Sequence, residues 1–154
     1  MRVSLDYLAG AFDGEGCIVI HKRKPKKTHW NPNYYAEICI GNTSEWLLLQ
    51  FQNRWGGSLS LRKQATGTSQ PVYAWSLASK KSIPFMEDML SHCYLKRAQL
   101  EIALKFQKGK KQRGKTPMTP YELSSSELAK KLISNLNKGK VRKAKEEGSD
   151  KVAS

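Results

Sequence analysis

Two carboxylates separated by a single glycine, Asp13 and Glu15, are the residues of this sequence best suited to chemistry. They close the apolar, glycine-containing segment LAGAFDGEG, which runs from Leu8 to Gly16. Carboxylates at the end of a helix, beside a basic strand, are suited to holding a divalent metal at a phosphate. The alternative is a C-terminal turn in which both acids pair with nearby Lys or Arg, because a helix C-terminus disfavours an uncompensated carboxylate. The residues alone leave both interpretations open.

The segments that must position these acids alternate between helices and pairs of strands. Helical spacing and capping residues, among them Ser4, Asn42 and the Gly56 stop, predict helices over residues 4–13, 42–55, 82–92, 94–106 and 119–137. Short apolar or alternating runs predict strands over residues 17–23, 34–40, 58–64 and 72–77. Strand pairs between helices indicate an α+β fold with an antiparallel sheet. We expect one domain over residues 1–137 and a basic, disordered tail over 138–154.

The charge balance predicts a polyanionic partner. Lys and Arg number 27 against 13 Asp and Glu, giving a formal charge of +14, which favours nucleic acid or an anionic membrane surface. No apolar run is long enough to span a bilayer, and the N-terminus lacks the layout of a signal peptide. Cys17, Cys39 and Cys93 are odd in number and widely spaced, with no Cys-x-x-Cys, which argues against a disulfide scaffold or a zinc ribbon. We expect an intracellular protein, in the cytoplasm or an organelle, that is neither secreted nor membrane-bound.

The segment LAGAFDGEG resembles the signature of the LAGLIDADG homing endonucleases, site-specific DNA-cleaving enzymes often encoded within introns. Five of its nine residues match that signature letter for letter, namely Leu8, Ala9, Gly10, Asp13 and Gly16. The resemblance covers roughly residues 4–106 and includes Asn42-Thr43, Gly56-Gly57, Tyr73-x-Trp75 and Leu95-Lys96-Arg97. It implies the αββαββα fold of that family, in which an antiparallel β-saddle packs against helices.

The resemblance also implies a dimer and an active site. A single motif in a short chain is similar to the homodimeric branch, whose motif helices pair along a twofold axis; here Leu8, Ala9, Gly10 and Asp13 would lie at that interface. By position, Glu15 and the Gly14 carbonyl would hold the metal, with Glu15 one methylene longer than the usual Asp. Lys96 would polarise water or stabilise the transition state, unless it is an ordinary surface lysine. Asn42 would lie at the edge of the site, although its predicted role as a helix N-cap is a sufficient structural reason for it.

The implied reaction is Mg²⁺-dependent (or other divalent-cation-dependent) hydrolysis of both strands of a long, near-palindromic double-stranded DNA target by a homodimer. It requires no small-molecule cofactor and no nucleophilic side chain. One alternative is an intron maturase, or another binding protein, that holds RNA or DNA on the same saddle without cleaving it. Another is a basic ribosomal or RNA-associated protein that matches the motif by coincidence.

DNA contacts are expected from alternate strand residues and from basic loops. By resemblance Val19, His21 and Arg23 face DNA. In the strand over 58–64, polar residues alternate with apolar ones. This alternation by itself predicts that Ser60, Arg62 and Gln64 face solvent. The small residues on the same face of the next strand are Val72, Ala74 and Ser76. Phosphate contacts are predicted for the basic residues Lys24, Lys26, Lys27, Lys108, Lys110, Lys111 and Arg113. For any single basic run, a solubilising loop is the alternative.

Overall fold

Helices and strand pairs follow one another along the chain in the predicted order. The structure, a computed structural model, describes residues 2–27, 31–110 and 116–153, and side chains as far as residue 139. Its elements are α1 (Leu5–Glu15), β1 (Gly16–Arg23), β2 (Asn33–Asn42), α2 (Glu45–Trp55), β3 (Ser58–Lys63), β4 (Val72–Ala78), a 3₁₀ turn (Ser79–Lys81), α3 (Ser82–Met89), α4 (Arg97–Gly109) and α5 (Pro120–Ala153).

The four strands form one antiparallel sheet in the order β1-β2-β4-β3, which confirms the predicted α+β class. Side chains alternate between the two faces of a strand. One face carries buried apolar residues such as Ile18, Ile38 and Trp75, and the helices pack against it. The opposite face, here called the open face, carries the half-buried or exposed residues between them, such as Val19 and His21.

An aromatic cluster holds α1, α2 and α3 to the sheet. The Phe12 and Phe85 rings meet edge to face, with centroids 5.0 Å apart, and Phe51 packs on Trp75 at 5.2 Å. The Trp75 indole donates a hydrogen bond of 2.7 Å to the Gly56 carbonyl, which ties the sheet to the end of α2. Since each of these four aromatic side chains is fully buried, they form the rigid base on which the end of α1 is positioned.

Two helix boundaries differ from the prediction in ways that matter for function. Helix α1 continues through Gly14 to Glu15 rather than ending at residue 13, and the Gly16 N–H still donates to the Phe12 carbonyl. Asn42 does not cap α2: it pairs with Tyr73 as the last residue of β2, and the side chain of Ser44 caps the helix instead. A glycine near a helix end costs only about 1 kcal/mol, so contacts elsewhere decide where the helix stops.

The last helix is longer than predicted. Helix α5 continues to Ala153 instead of ending near Asn137, because the residues beyond, although almost free of apolar side chains, are largely Lys, Arg, Ala and Glu, which favour helix. Glu127 ties α5 to β1 through Lys22, with 2.5 Å between Oε1 and Nζ, and the Asn137 amide donates to the Ile18 carbonyl. Within the described part of the chain, no helix has the length and apolar character needed to cross a membrane.

Candidate functional site

The junction between α1 and β1 presents Glu15 at the protein surface. Ser4 caps the start of the helix by accepting from the Tyr7 N–H at 3.2 Å. At the other end Gly16 has extended backbone, and a Cβ there would lie 2.2 Å from the Phe12 ring. Only glycine therefore lets the chain pass so close to Phe12 and enter β1 directly. The carboxylate of Glu15 is left exposed at the turn.

Asn42 holds the Glu15 carboxylate. Its amide nitrogen donates a short hydrogen bond to Oε2 of Glu15, while its own Oδ1 accepts from the Ser44 N–H at 2.7 Å. The second contact fixes the amide orientation, so that the nitrogen faces Glu15. Since Asn42 is not the cap of α2, the structural reason that the sequence offered for it does not apply, and its contact with Glu15 is the one that the structure supports.

Asp13 joins α1 to the start of α4. Its carboxylate is buried and accepts from the backbone N–H groups of Tyr94, at 2.7 Å, and Lys96, at 3.1 Å. An acid at this position satisfies two backbone N–H groups that lie just before the first residue of α4, and its negative charge complements the helix dipole. Lys96 is thereby fixed beside the end of α1. The pKa of Cys17 is lowered to about 6, first by a hydrogen bond from Cys39 and then by the charge of Lys96, so Lys96 lies within electrostatic range of the start of β1.

Loss of the two hydrogen bonds to the Asp13 carboxylate is expected to destabilise the fold. In Asp13→Ala the two N–H groups lose a charged acceptor at a buried position, which should lower the free energy of unfolding by about 2–3 kcal/mol. Urea denaturation at neutral pH measures the change. Glu101→Ala, which removes an exposed carboxylate from α4, is the matched control and should change stability by less than about 0.5 kcal/mol. Equal stability of the two variants would show that Asp13 does not anchor α4.

The oxygen atoms around Glu15 provide some, but not all, of the ligands that a hard divalent cation requires. A carboxylate and a carbonyl from the last turn of α1, such as that of Gly14, are oxygen ligands of the kind that Mg²⁺ and Ca²⁺ prefer. One protomer supplies a single carboxylate, and the described residues hold no cluster of three His, Cys, Asp or Glu able to bind a metal. Mg²⁺ usually keeps several water molecules, so water and the oxygen atoms of a phosphate can supply the remaining ligands.

The structure changes the assignment of the interface residues on α1. Leu8, Ala9 and Asp13 are buried within the protomer, at 1%, 1% and 9% exposure, so their side chains are not available to a second subunit. Gly10 is exposed, and a Cβ added to it would meet no atom within 4 Å. With Gly14, which is equally open, it forms a glycine stripe on the outer side of α1. Of the four predicted interface residues, only Gly10 lies on that outer side.

The open face carries the predicted residues of β1 together with residues of β2 that the sequence analysis missed. Val19, His21 and Arg23 lie on it, opposite Glu37, Tyr35 and Asn33 respectively. His21 Nε2 contacts the Glu37 carboxylate, and its ring lies 5.2 Å from that of Tyr35. The alternation of Ala36, Ile38 and Ile40 toward the core is the signal that could have identified the β2 residues.

A β-bulge in β3 interrupts the alternation of side chains on the open face. Ser60 pairs with Ala74, but Lys63 rather than Arg62 is in register with Val72, so the alternation predicted through Gln64 is interrupted and Gln64 follows the end of the strand. The pKa of Cys39 is raised, chiefly by its hydrogen bond to Cys17, and the positive charge of Arg62 acts in the opposite direction. Ser76 is half-buried, and Ala74 is only 5% exposed.

The predicted phosphate-binding lysines divide into two groups. Lys24, Lys26 and Lys27 are exposed just after β1. In contrast, Lys110 donates to Asn33 Oδ1 at 3.0 Å and to the Tyr34 carbonyl, and burial lowers its pKa, while Lys108 pairs with Glu87 at 2.9 Å. These contacts give Lys108 and Lys110 structural roles in the free protein, and their contacts with phosphate stay a prediction. The predicted contacts at positions 111 and 113 lie outside the described residues.

The fold is shared with solved homing endonucleases. No family model and no curated protein sequence matches the chain significantly. I-CvuI, solved in complex with its target, aligns over 86% of this chain and 80% of its own, with a TM-score of 0.69 and 22% identity. I-TnaI aligns over 70% of this chain and 73% of its own, at 0.55 and 16%. The LAGLIDADG homing endonuclease I-SmaMI, bound to cleaved DNA, aligns over 70% of this chain and 36% of its own, at 0.53 and 16%. The chain therefore has the fold of the LAGLIDADG homing endonucleases, as the residues of LAGAFDGEG imply.

Proposed function

We propose that this protein is a site-specific DNA endonuclease that acts as a homodimer and requires a divalent cation, with Mg²⁺ as the expected one. The observation that carries the proposal is that the Asn42 amide donates to the Glu15 carboxylate at the end of α1, while Asp13 in the same helix turn accepts from the backbone N–H of Lys96. An acid and a base supported in this way are expected where a phosphodiester is hydrolysed. The complexes of I-CvuI with its target and of I-SmaMI with cleaved DNA support the same substrate class.

In this mechanism each side chain near the end of α1 has a separate task. Glu15 supplies oxygen ligands, and Asn42 holds the carboxylate in one orientation. Lys96, fixed at its backbone by Asp13, places its positive charge where negative charge develops on the phosphate. A bound divalent cation supplies Lewis acidity and lowers the pKa of a water molecule. Because one protomer contributes a single Glu15, two copies of the chain are required for a metal site with two carboxylates.

The open face is the proposed DNA-binding surface. Its width and pleat suit the major groove, which accepts a β-ribbon whose alternate side chains reach base edges. Arg62 is suited to guanine, and the exposed Lys24, Lys26 and Lys27 to phosphates. The charge of +14 supports this placement, since phosphate contacts account for much of the affinity of such complexes.

A cleavage selection tests the proposed function. Purified full-length protein and Mg²⁺ are incubated with a library of duplexes that contain partly palindromic sites, with an EDTA control. Recovery of cut, near-symmetric sequences only when Mg²⁺ is present supports the proposal. Tight binding of selected duplexes without cleavage of any would contradict it and favour a binding protein, with RNA as the next ligand to test.

Glu37 is expected to determine one base-pair position of each half-site. A glutamate accepts a hydrogen bond from the cytosine amino group, whereas glutamine pairs best with adenine. Glu37→Gln should therefore change the selected base at a single position of each half-site from cytosine toward adenine, with a change in discrimination of about 5- to 150-fold. The readout is the selected-site sequence logo. Glu101→Gln, on α4, should leave the logo unchanged, and a Glu37→Gln logo identical to the wild type would remove Glu37 from the reading surface.

A further inference from the structure

Two cysteines face each other across β1 and β2 on the open face. Cys17 and Cys39 are directly opposite in the antiparallel ladder, and both are half-buried. Side chains directly opposite each other in such a ladder are neighbours, with Cβ atoms about 4.5–5.5 Å apart. The third cysteine, Cys93, is fully buried, with its thiol 3.7 Å from the Ala9 carbonyl, and burial raises its pKa to about 12. The chain thus combines one accessible thiol pair with one protected thiol.

The backbone of the pair already has the spacing that a disulfide requires. Opposite residues of an antiparallel ladder have Cα atoms about 4.5–5.5 Å apart, and disulfides join Cα atoms about 4.4–6.8 Å apart. The strand register need not change when the bond closes, and only the two side chains and the backbone next to them adjust. The pairing could not be predicted from the sequence, because 21 other residues separate the two cysteines and no Cys-x-x-Cys motif is present.

We propose that Cys17 and Cys39 form a reversible disulfide that slows DNA cleavage, with a low-molecular-weight disulfide such as oxidised glutathione as the oxidant. One thiol attacks a sulfur of the oxidant, giving a mixed disulfide and one reduced glutathione. The second thiol then displaces the remaining glutathione and closes the Cys17–Cys39 bond. The protein loses two electrons and two thiol protons, and the oxidant gains both as two molecules of reduced glutathione. A reducing compartment keeps the pair as thiols.

The position of Cys17 connects the disulfide to the proposed active site. Gly16 is the one residue between Cys17 and Glu15, and it is packed so closely against Phe12 that a Cβ would overlap the ring. Closing the bond draws the two Cβ atoms to about 3.8 Å, and the tight packing at Gly16 passes the displacement of Cys17 on to Glu15. A displacement of about 1 Å at a catalytic group can slow a reaction about 10²-fold. This step rests on the proposed function, because it needs Glu15 to act in cleavage.

The experiment measures disulfide formation separately from cleavage. Reduced full-length protein is equilibrated with mixtures of reduced and oxidised glutathione, free thiols are alkylated, and intact mass and peptide mapping identify the linked residues. We expect the loss of two hydrogens, a Cys17–Cys39 linked peptide and alkylation of Cys93 only after denaturation. Cleavage of a selected duplex should slow at least about 10-fold on oxidation and recover with a reductant. Cys39→Ser cannot form the Cys17–Cys39 bond and is compared with itself: its cleavage rate should change far less on oxidation than the rate of the wild type does.

Each outcome bears on a different part of the inference. No Cys17–Cys39 linkage at any glutathione ratio overturns it entirely. A linked protein that cleaves as fast as the reduced one overturns the regulatory part. If the Cys17–Cys39 bond forms but the protein cleaves no duplex in either redox state, both the regulatory part and the proposed endonuclease function are overturned. In that case the mass data still support the formation of the disulfide.

Discussion

The Glu15→Gln variant is expected to bind its selected DNA with nearly wild-type affinity and to leave both strands intact. Glutamine keeps the shape of the side chain and can still contact Asn42, but it removes the negative charge that a divalent cation requires. Groups that stabilise charge in the transition state contribute about 10²–10³-fold each, and Glu15 would be lost from both subunits of the dimer. We therefore expect the single-turnover cleavage rate to fall by at least about 10³-fold.

The measurement compares cleavage with binding on the same duplex. Strand cleavage is followed on a gel at saturating protein, and affinity is measured by fluorescence anisotropy in Ca²⁺. Glu101→Gln, on the exposed side of α4, provides the control for loss of one negative charge from this basic protein. Cleavage by Glu15→Gln at the wild-type rate would place the metal site elsewhere. Loss of binding together with cleavage would assign Glu15 to folding or assembly, which circular dichroism and light scattering distinguish.

The parts of the fold that depend on local patterns were predictable from the sequence. Alternating apolar residues mark β2 and β4, and both strands lie where the pattern indicates. The start of α5 is a reciprocal cap, in which the Thr119 N–H donates to Glu122 at 3.0 Å and the Glu122 N–H to Thr119 at 3.2 Å, as their spacing predicts. The end of α2 at Gly56 has a positive φ of 77°, which favours glycine. Each of these signals lies within a few residues of its effect.

The contacts that build the candidate site were not predictable in this way. Asp13 accepts from the Tyr94 N–H, 81 residues later in the chain and just before α4, and no spacing rule relates the two positions. Asn42 showed a complete N-cap pattern, but Ser44, two residues later, offers the same chemistry, and pairing with Tyr73 keeps Asn42 in β2. Only the tertiary structure decides between two adjacent caps of similar quality. The resemblance indicated that Glu15, Asn42 and Lys96 could act together, whereas the contacts that hold them depend on distant segments.

The orientation of α1 in the protomer was also not predictable from the sequence. Helical spacing makes Leu8, Ala9 and Phe12 one side of the helix, but it does not say whether that side meets the sheet of its own subunit or a second subunit. In the structure they join the core with Phe85 and Cys93, which leaves Gly10 on the outside. The motif therefore divides its residues between the two sides of α1. Its large apolar residues face inward and its glycines face outward.

This arrangement predicts that Gly10→Leu will produce a folded monomer that does not cleave DNA. Within a protomer nothing explains a glycine at position 10, because a side chain there would meet no atom within 4 Å and glycine costs about 1 kcal/mol relative to alanine in a helix. Glycine is useful on an exposed helix where another helix backbone must approach closely, which small residues permit. A leucine side chain would hold two α1 helices apart. Since each subunit supplies one Glu15, we expect cleavage to fall by at least about 10²-fold.

Measurements of oligomeric state, stability and cleavage together test whether Gly10 lies at a dimer interface. Light scattering should give a dimer for the wild type and a monomer for Gly10→Leu, and thermal unfolding should show that the variant retains its fold. Gly109→Leu adds the same bulk at another exposed helical glycine that has no atom within 4 Å of an added Cβ, and it should remain dimeric and active. A dimeric, active Gly10→Leu would exclude α1 from the interface. A wild type that is monomeric while it cleaves both strands would contradict the requirement for two copies of Glu15, because a single chain would then cleave both strands with one Glu15.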